Sequence, residues 1–282
     1  MNYRHDFHAG NFADVMKHAL LVRMLLYLQR KETPLRVIDT HAGIGLYDLA
    51  GARSQRTGEW ADGIGRLDAP FSPEVEAVLE PYRGVIAAVR ARHGADAYPG
   101  SPAILRELLR RQDRGVLVEL HPEDGARLTK RYNAVANLKV LHLDGWTALQ
   151  ALIPPREKRG LVLIDPPYEE LDELSRLGDE LLAALRKWPG GVYAGWYPIK
   201  DPKPVDALFR RLRQDLARPG LRLELLVDDP RDPDRLNGCG LVVINPPWTL
   251  RQDAECLLPA LAERLSRQGY GAYRVETFGP AA

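Results

Sequence analysis

Leu161-Val162-Leu163-Ile164-Asp165-Pro166-Pro167-Tyr168 is an apolar run that stops abruptly at an acid, two prolines and an aromatic ring. The run reads as a buried β-strand, of the kind found in a parallel sheet covered on both faces. The prolines fix φ and offer carbonyls without adding donors. The strand therefore delivers a carboxylate to its own carboxyl end, the edge where open α/β sheets bind ligands. Such a turn suits an aromatic exocyclic amine, whose lone pair is delocalised and whose nitrogen is a poor nucleophile. Asp165 would accept one N–H and the Pro166 carbonyl the other as the nitrogen turns tetrahedral. Tyr168, beside Pro167, would stack on a base taken out of its helix. The bland alternative is a rigid strand-to-loop turn, because Pro-Pro is common in loops, so the rest of the chain must decide.

Working outward, strand-like runs alternate with helical ones. The strands are read at Leu35–Asp39, Gly115–Leu120, Lys139–Leu143, Leu161–Asp165, Gly191–Trp196, Leu221–Val227 and Leu241–Asn245. Amphipathic helices are read at Pro102–Gln112, Pro122–Asn133, Asp172–Lys187, Val205–Ala217 and Ala254–Arg267. This alternation predicts an α/β fold with a largely parallel sheet. It resembles the Rossmann-like seven-stranded sheet of class I S-adenosylmethionine methyltransferases, in which a final hairpin makes one strand antiparallel. The first strand ends at Asp39 and the second only at Glu119, about four times the ~20 residues usual between a glycine loop and the ribose-binding acid. Residues 49–98 are therefore expected to form an inserted helical subdomain within a domain made of residues 1–48 and 99–282. Within the insert, Val75, Val78, Leu79, Val85, Ile86 and Val89 trace an apolar helical stripe.

The strand and its turn are echoed. Gly240-Leu241-Val242-Val243-Ile244-Asn245-Pro246-Pro247-Trp248 repeats the pattern of Gly160 to Tyr168. The first copy follows a central strand and the second follows the expected antiparallel one, so the pocket is assigned to Asp165. The turn at Asn245 and Trp248 is assigned to packing.

A net charge of +1 over 282 residues argues against a wholesale nucleic-acid coat but permits a local basic footprint. Two cysteines, Cys239 and Cys256, provide neither a disulfide framework nor a zinc site, which fits a reducing cytoplasm. The apolar stretch from Ala19 to Leu28 is interrupted by Arg23 and reads as neither a signal peptide nor a membrane span. His5, His8 and His18 lack the further ligands that a metal site needs, so no metal is expected.

A second constellation lies upstream. Asp39 is followed by His41, Gly43 and Gly45, a glycine turn without the Gly-x-Gly-x-x-Gly of nicotinamide enzymes. It suits the methionine moiety and sulfonium of S-adenosylmethionine. Glu119 would accept from both ribose hydroxyls. Asp144 would accept from the exocyclic amine of the cofactor's adenine, with Gly145 leaving room for the ring. Each acid alone is more simply an N-cap or loop carboxylate, but three at the ends of three successive strands are hard to obtain by accident. Ser101, before Pro102 and a helix, is by default an N-cap and is also placed to reach the cofactor.

Several blocks are distinctive together: Tyr3-Arg4-His5, Phe7-His8-Ala9-Gly10-Asn11, Ala13-Asp14-Val15 and Lys17-His18. To these are added Asp39 to Gly43, Tyr98 to Pro102, Glu119 to Pro122, Asp165 to Tyr168 and Ile244 to Trp248. They resemble the bacterial large-subunit (23S) ribosomal RNA adenine-N6 methyltransferases of the J type. The resemblance implies methylation of one adenine in naked or partly assembled ribosomal RNA, with no membrane and no obligatory protein partner. It places His18, His41, Gly43, Ser101, Glu119, Asp144, Gly145 and Asp165 at S-adenosylmethionine, Asp165 at the chemistry and Tyr3 on the RNA. Rival readings are a DNA adenine-N6 or cytosine-N4 methyltransferase, an enzyme acting on a protein glutamine amide, and a non-catalytic RNA-binding module on a degenerate fold.

Overall fold

The computed structural model describes residues 4–170, 172–232 and 235–280. Its strands are β1 (Arg36–Asp39), β2 (Leu46–Asp48), β3 (Ala97–Pro99), β4 (Arg114–Val118), β5 (Leu138–Leu141), β6 (Gly160–Ile164), β7 (Val192–Ile199), β8 (Gly220–Leu226), β9 (Gly238–Ile244) and β10 (Ala272–Phe278). The helices are α1 (Phe12–Leu28), α2 (Ala52–Thr57), α3 (Pro73–His93), α4 (Ser101–Leu108), α5 (Pro122–Tyr132), α6 (Gly145–Leu152), α7 (Glu173–Lys187), α8 (Pro202–Asp215) and α9 (Leu250–Arg264).

One sheet of eight strands organises the molecule, in the order β5-β4-β1-β6-β7-β9-β8-β10. The five strands from β5 to β7 are parallel, and β9 runs antiparallel to both β7 and β8. This is the class I methyltransferase arrangement, and all seven expected strands take part. The eighth, β10, extends the sheet antiparallel to β8. It was not legible because most of its side chains are solvent-facing or half-buried, so no apolar alternation marks it. All five residues of β6 are buried, as its unbroken apolar run requires.

The helix expected at Pro102–Gln112 ends early, at Leu108, and Leu109 turns extended. There the Asp113 carboxylate takes over, accepting from the Arg110 amide and guanidinium and from the Leu35 amide. Helix α1 is buried almost all round. It lies between the sheet at β9 and helices α3, α4 and α9, so it shows no amphipathic periodicity. The segment between β2 and β3 is helical. Leu79, Tyr82, Val85, Ile86 and Val89 of α3 join the same apolar cluster as Met16 and Leu20 of α1 and Leu257 and Leu261 of α9. At its base β2 and β3 pair antiparallel, from Leu46 opposite Pro99 to Asp48 opposite Ala97. No helix among the described residues is long and apolar enough to cross a membrane.

Candidate active site

The carboxyl ends of β1, β4, β5 and β6 open into a cavity of about 880 Å³. Its wall includes His18, His41, Gly43, Ser101, Glu119, Asp144, Gly145, Asp165, Pro166, Pro167 and Tyr168. Every expected site residue except Tyr3 is thus brought to one space; Tyr3 lies outside the described residues.

One half of the cavity is built around the glycine turn. Glu119 accepts from the amides of Gly43 and His121, both at 2.8 Å. Burial raises its pKa while those two amides pull it down. Asp144 caps α6, its Oδ2 accepting from the Thr147 amide at 2.8 Å and hydroxyl at 2.9 Å. No such bond falls to Oδ1 among the described residues. Gly145 has a packing role as well. A Cβ there would stand 2.4 Å from the Thr40 carbonyl and 2.6 Å from the His41 ring, so the glycine also lets α6 close on the β1 turn while lining the cavity. Ser101 is the first residue of α4, and Gly100 occupies the cap position. Burial drives the pKa of His41 down to about 4, leaving a neutral ring set edge-on to Trp146.

Beneath this half lies Asp39, fully buried, with neither carboxylate oxygen in a well-formed hydrogen bond. Burial lifts its pKa to about 7, opposed by the nearby Ser101 hydroxyl, the charge of Lys17 and the His41 backbone. The carboxylates of Glu119 and Asp144 in the wall, with Leu120 46% exposed and Trp146 alongside and the unpartnered Asp39 buried at the end of β1, suit a cationic nucleoside.

The other half centres on Asp165. Lys17 of α1 places its ammonium 2.6 Å from Asp165 Oδ2 and 2.9 Å from Asp14 Oδ1. Burial works against that charge, but the two carboxylates outweigh it and hold the Lys17 pKa above its ordinary value. Burial likewise opposes ionisation of Asp14, yet His5, Lys17 and His18 keep its pKa well below the carboxylate range. His18 is neutral, its pKa driven to about 3 by burial, and its Nδ1 lies 3.0 Å from the Tyr98 hydroxyl. His5 and His8 approach carboxylates, Asp14 and Glu59. Tyr168 adopts a left-handed φ of 54° and donates its hydroxyl to the Trp196 carbonyl at 2.5 Å. Trp196 meets the Tyr168 ring edge-on, with Lys17 5.9 Å from its own ring centre.

Sequence reasoning missed the roles of Lys17, Asp14 and Trp196. Lys17 and Asp14 stood in a recognisable block, but their partner Asp165 is 148 residues from Lys17, and only the docking of α1 reveals the pair. Trp196 carried no signal of its own. The echo turn lies at the opposite edge of the sheet, because β9 starts opposite Ile199 and ends opposite Tyr193. Asn245 donates there to the Pro189 and Gly191 carbonyls at 3.0 and 2.7 Å. Trp248 is 81% exposed, which corrects its assignment to packing.

Residues 32–278 match the family described as "Ribosomal RNA large subunit methyltransferase D, RlmJ". The chain belongs to this methyltransferase family. It is 39% identical to ribosomal RNA large subunit methyltransferase J of Haemophilus influenzae over 284 residues and 36% identical to that of Escherichia coli over 280, covering 99% of each chain. Protein LPL1258 of Legionella pneumophila, a solved structure, superposes with a TM-score of 0.86 at 35% identity, over 96% of this chain and 98% of that one. Membership in the family and the class I fold together imply use of S-adenosylmethionine.

Proposed function

We propose that this methyltransferase transfers a methyl group from S-adenosylmethionine to the N6 amine of one adenine in 23S ribosomal RNA, in the cytoplasm. The observation that carries this reading is the Asp165 carboxylate, clamped at 2.6 Å by Lys17 on the wall shared with Glu119 and Asp144. The cofactor, when bound, supplies a methyl group on a positively charged sulfur, so little acid–base power is required. The task left to the protein is placement. Glu119 and the free oxygen of Asp144 would hold the nucleoside, Gly43 and Ser101 would border the amino-acid end, and His18 and His41 would line the wall as neutral rings. Asp165, paired with Lys17 through Oδ2, would accept a hydrogen bond from N6 through Oδ1, raising electron density on the nitrogen, and take the proton as the new N–C bond forms and the S–C bond breaks. The Pro166 carbonyl would accept the second N–H. Pro167, Tyr168 and Trp196 would bound the base, and a stacked ring is worth ~1–3 kcal/mol per base. Tyr3 would touch the RNA from the amino-terminal end.

The test pairs binding with turnover. Asp165→Ala is expected to bind S-adenosylmethionine within a few-fold of wild type by calorimetry. It should transfer no methyl group to ribosomal RNA purified from a strain lacking the protein. Equal loss of binding and turnover would make Asp165 chiefly a cofactor residue. Mass mapping of that RNA before and after addition of the wild-type protein identifies the nucleotide, and DNA and protein substrates run alongside separate the rival acceptors.

A further inference from the structure

Residues 4–11 form a strap along the cavity, lining it with His5, His8 and Asn11, and the segment between β2 and β3 grips it. Glu59, on this segment, lies 2.9 and 3.1 Å from His8 Nδ1 through its two carboxylate oxygens and accepts from Asn11 Nδ2 at 3.0 Å. Asn11 is also the cap of α1, its side-chain oxygen accepting from the Ala13 and Asp14 amides at 3.0 and 3.1 Å. The amide group of Asn11 therefore joins the segment to the first turn of the helix that carries Lys17. The backbones meet as well, since the Ile64 amide donates to the Gly10 carbonyl at 2.8 Å. A Cβ at Gly63 would stand 2.1 Å from that carbonyl oxygen, a contact no side chain tolerates. The Gly10 amide in turn donates to Asp14 Oδ2 at 2.9 Å, and Asp14 is the second partner of Lys17. Further along, Ser54 and Thr57 donate their hydroxyls to the Asp6 and Phe7 carbonyls. The hydrogen bond to Glu59 raises the pKa of His8, as expected of an ion pair.

This pattern is more than packing. A helix needs its cap, but the cap does not require a carboxylate from another segment on its far side. Glu59 is itself part of the cavity wall, together with His8, Asn11, Asp14 and Lys17. We propose that Glu59 is a positioning residue for methyl transfer, fixing the strap and the first turn of α1 through His8 and Asn11 so that the Lys17 ammonium meets Asp165. Its role is exerted through His8, Asn11 and the first turn of α1. The inference rests on the RNA-methylating reading above and adds to it a role for the segment between β2 and β3.

The experiment uses the full chain with ribosomal RNA from a strain lacking it. Glu59→Ala should lower kcat at least tenfold, about 1.4 kcal/mol of transition-state stabilisation. The KM for RNA, the dissociation constant for S-adenosylmethionine and the melting temperature should stay close to wild type. Asn11→Asp keeps a capping oxygen for α1 but removes the donor to Glu59, so it should show the same loss even if Glu59→Ala folds poorly. Because both substitutions cut the Asn11–Glu59 link, the double variant should be no slower than Glu59→Ala alone. Unchanged kcat in the two variants, losses that multiply in the double variant, or a kcat loss matched by falls in cofactor affinity and melting temperature would each overturn the proposal. A wild-type protein that methylates no RNA would overturn the underlying reading as well, whereas an active wild type beside an equally fast Glu59→Ala overturns the positioning role alone.

Discussion

Asp39, at the end of β1 and fully buried, is an acid whose charge state responds to its surroundings. Its carboxyl is buried without a well-formed partner, and its pKa rises from the ordinary value of about 3.9 to about 7. Between those two values the folded protein holds a proton that the unfolded chain has released. Native stability from this group is thus full below about pH 4 and is lost as pH rises through about 7. Asp14 behaves oppositely, since its pKa is depressed and its contribution disappears only at lower pH. His8, whose pKa is raised, loses its contribution on the alkaline side. Asp39→Asn should therefore flatten the decline in melting temperature between pH 4 and 7 while leaving the acid limb in place. A cationic ligand above Asp39 should favour the carboxylate. S-adenosylmethionine would then bind more tightly as pH rises towards neutrality and release a proton, measurable by calorimetry in buffers of different ionisation enthalpy. Proton release that persists unchanged in Asp39→Asn would assign the titration to another group.

At the scale of elements, the same strand-and-turn pattern serves two different ends. After β6 the turn faces the cavity and carries Asp165. After β9 it faces the opposite edge, where Asn245 takes a left-handed φ of 53° and ties two carbonyls. Asn245→Ala removes both hydrogen bonds and places alanine where φ disfavours it, so a loss of about 1–3 kcal/mol in denaturant unfolding is expected. Trp248→Ala removes an exposed ring and should change stability by no more than about 0.5 kcal/mol. A Trp248→Ala protein as unstable as Asn245→Ala would restore the packing role that its exposure contradicts. The parallel strands were legible because burial on both faces leaves unbroken apolar runs, and the acids at their ends followed from strand direction. What was not legible depended on distant parts of the chain meeting. The Lys17–Asp165 pair needs α1 docked against the sheet, the function of Gly145 is set by His41, and β10 is an edge strand with little apolar signal. The distances that could be read from sequence were those along a strand, and those that could not were between segments far apart in the chain.

For the whole molecule, a net charge of +1 poses a question about how a polyanion is captured. Of the basic side chains in the cavity wall, Lys17 is held by Asp14 and Asp165, while Arg176, over the Trp146 ring, and Lys200 make no ion pair among the described residues; away from the wall many cations are paired. Arg4 pairs with Glu123 and Asp124, Arg53 and Arg127 converge on Asp6, and Arg92 pairs with Glu107. Glu59, Glu169, Glu170 and Glu173 add acid to the cavity wall itself. Phosphate contacts release counterions, so the logarithm of the RNA affinity falls with the logarithm of salt by about 0.7 per phosphate on single strands. A protein that leaned on a basic coat would engage roughly 6–10 phosphates and, at that slope, lose on the order of 10²–10⁴ in affinity between about 50 and 200 mM salt. The charge distribution here predicts a gentler dependence, with a slope shallower than about −4 for a hairpin carrying the target adenine. Recognition would then lie mainly in the shape of the base pocket and in the strap that lines the cavity, and affinity should respond more to unpairing the target adenine than to lengthening the flanking helix. Filter binding over that salt range, repeated with the target adenine paired and unpaired, measures both. A slope steeper than −4 together with indifference to pairing would transfer the binding energy from pocket to phosphate backbone, and the paired arginines would have to exchange their carboxylates for RNA.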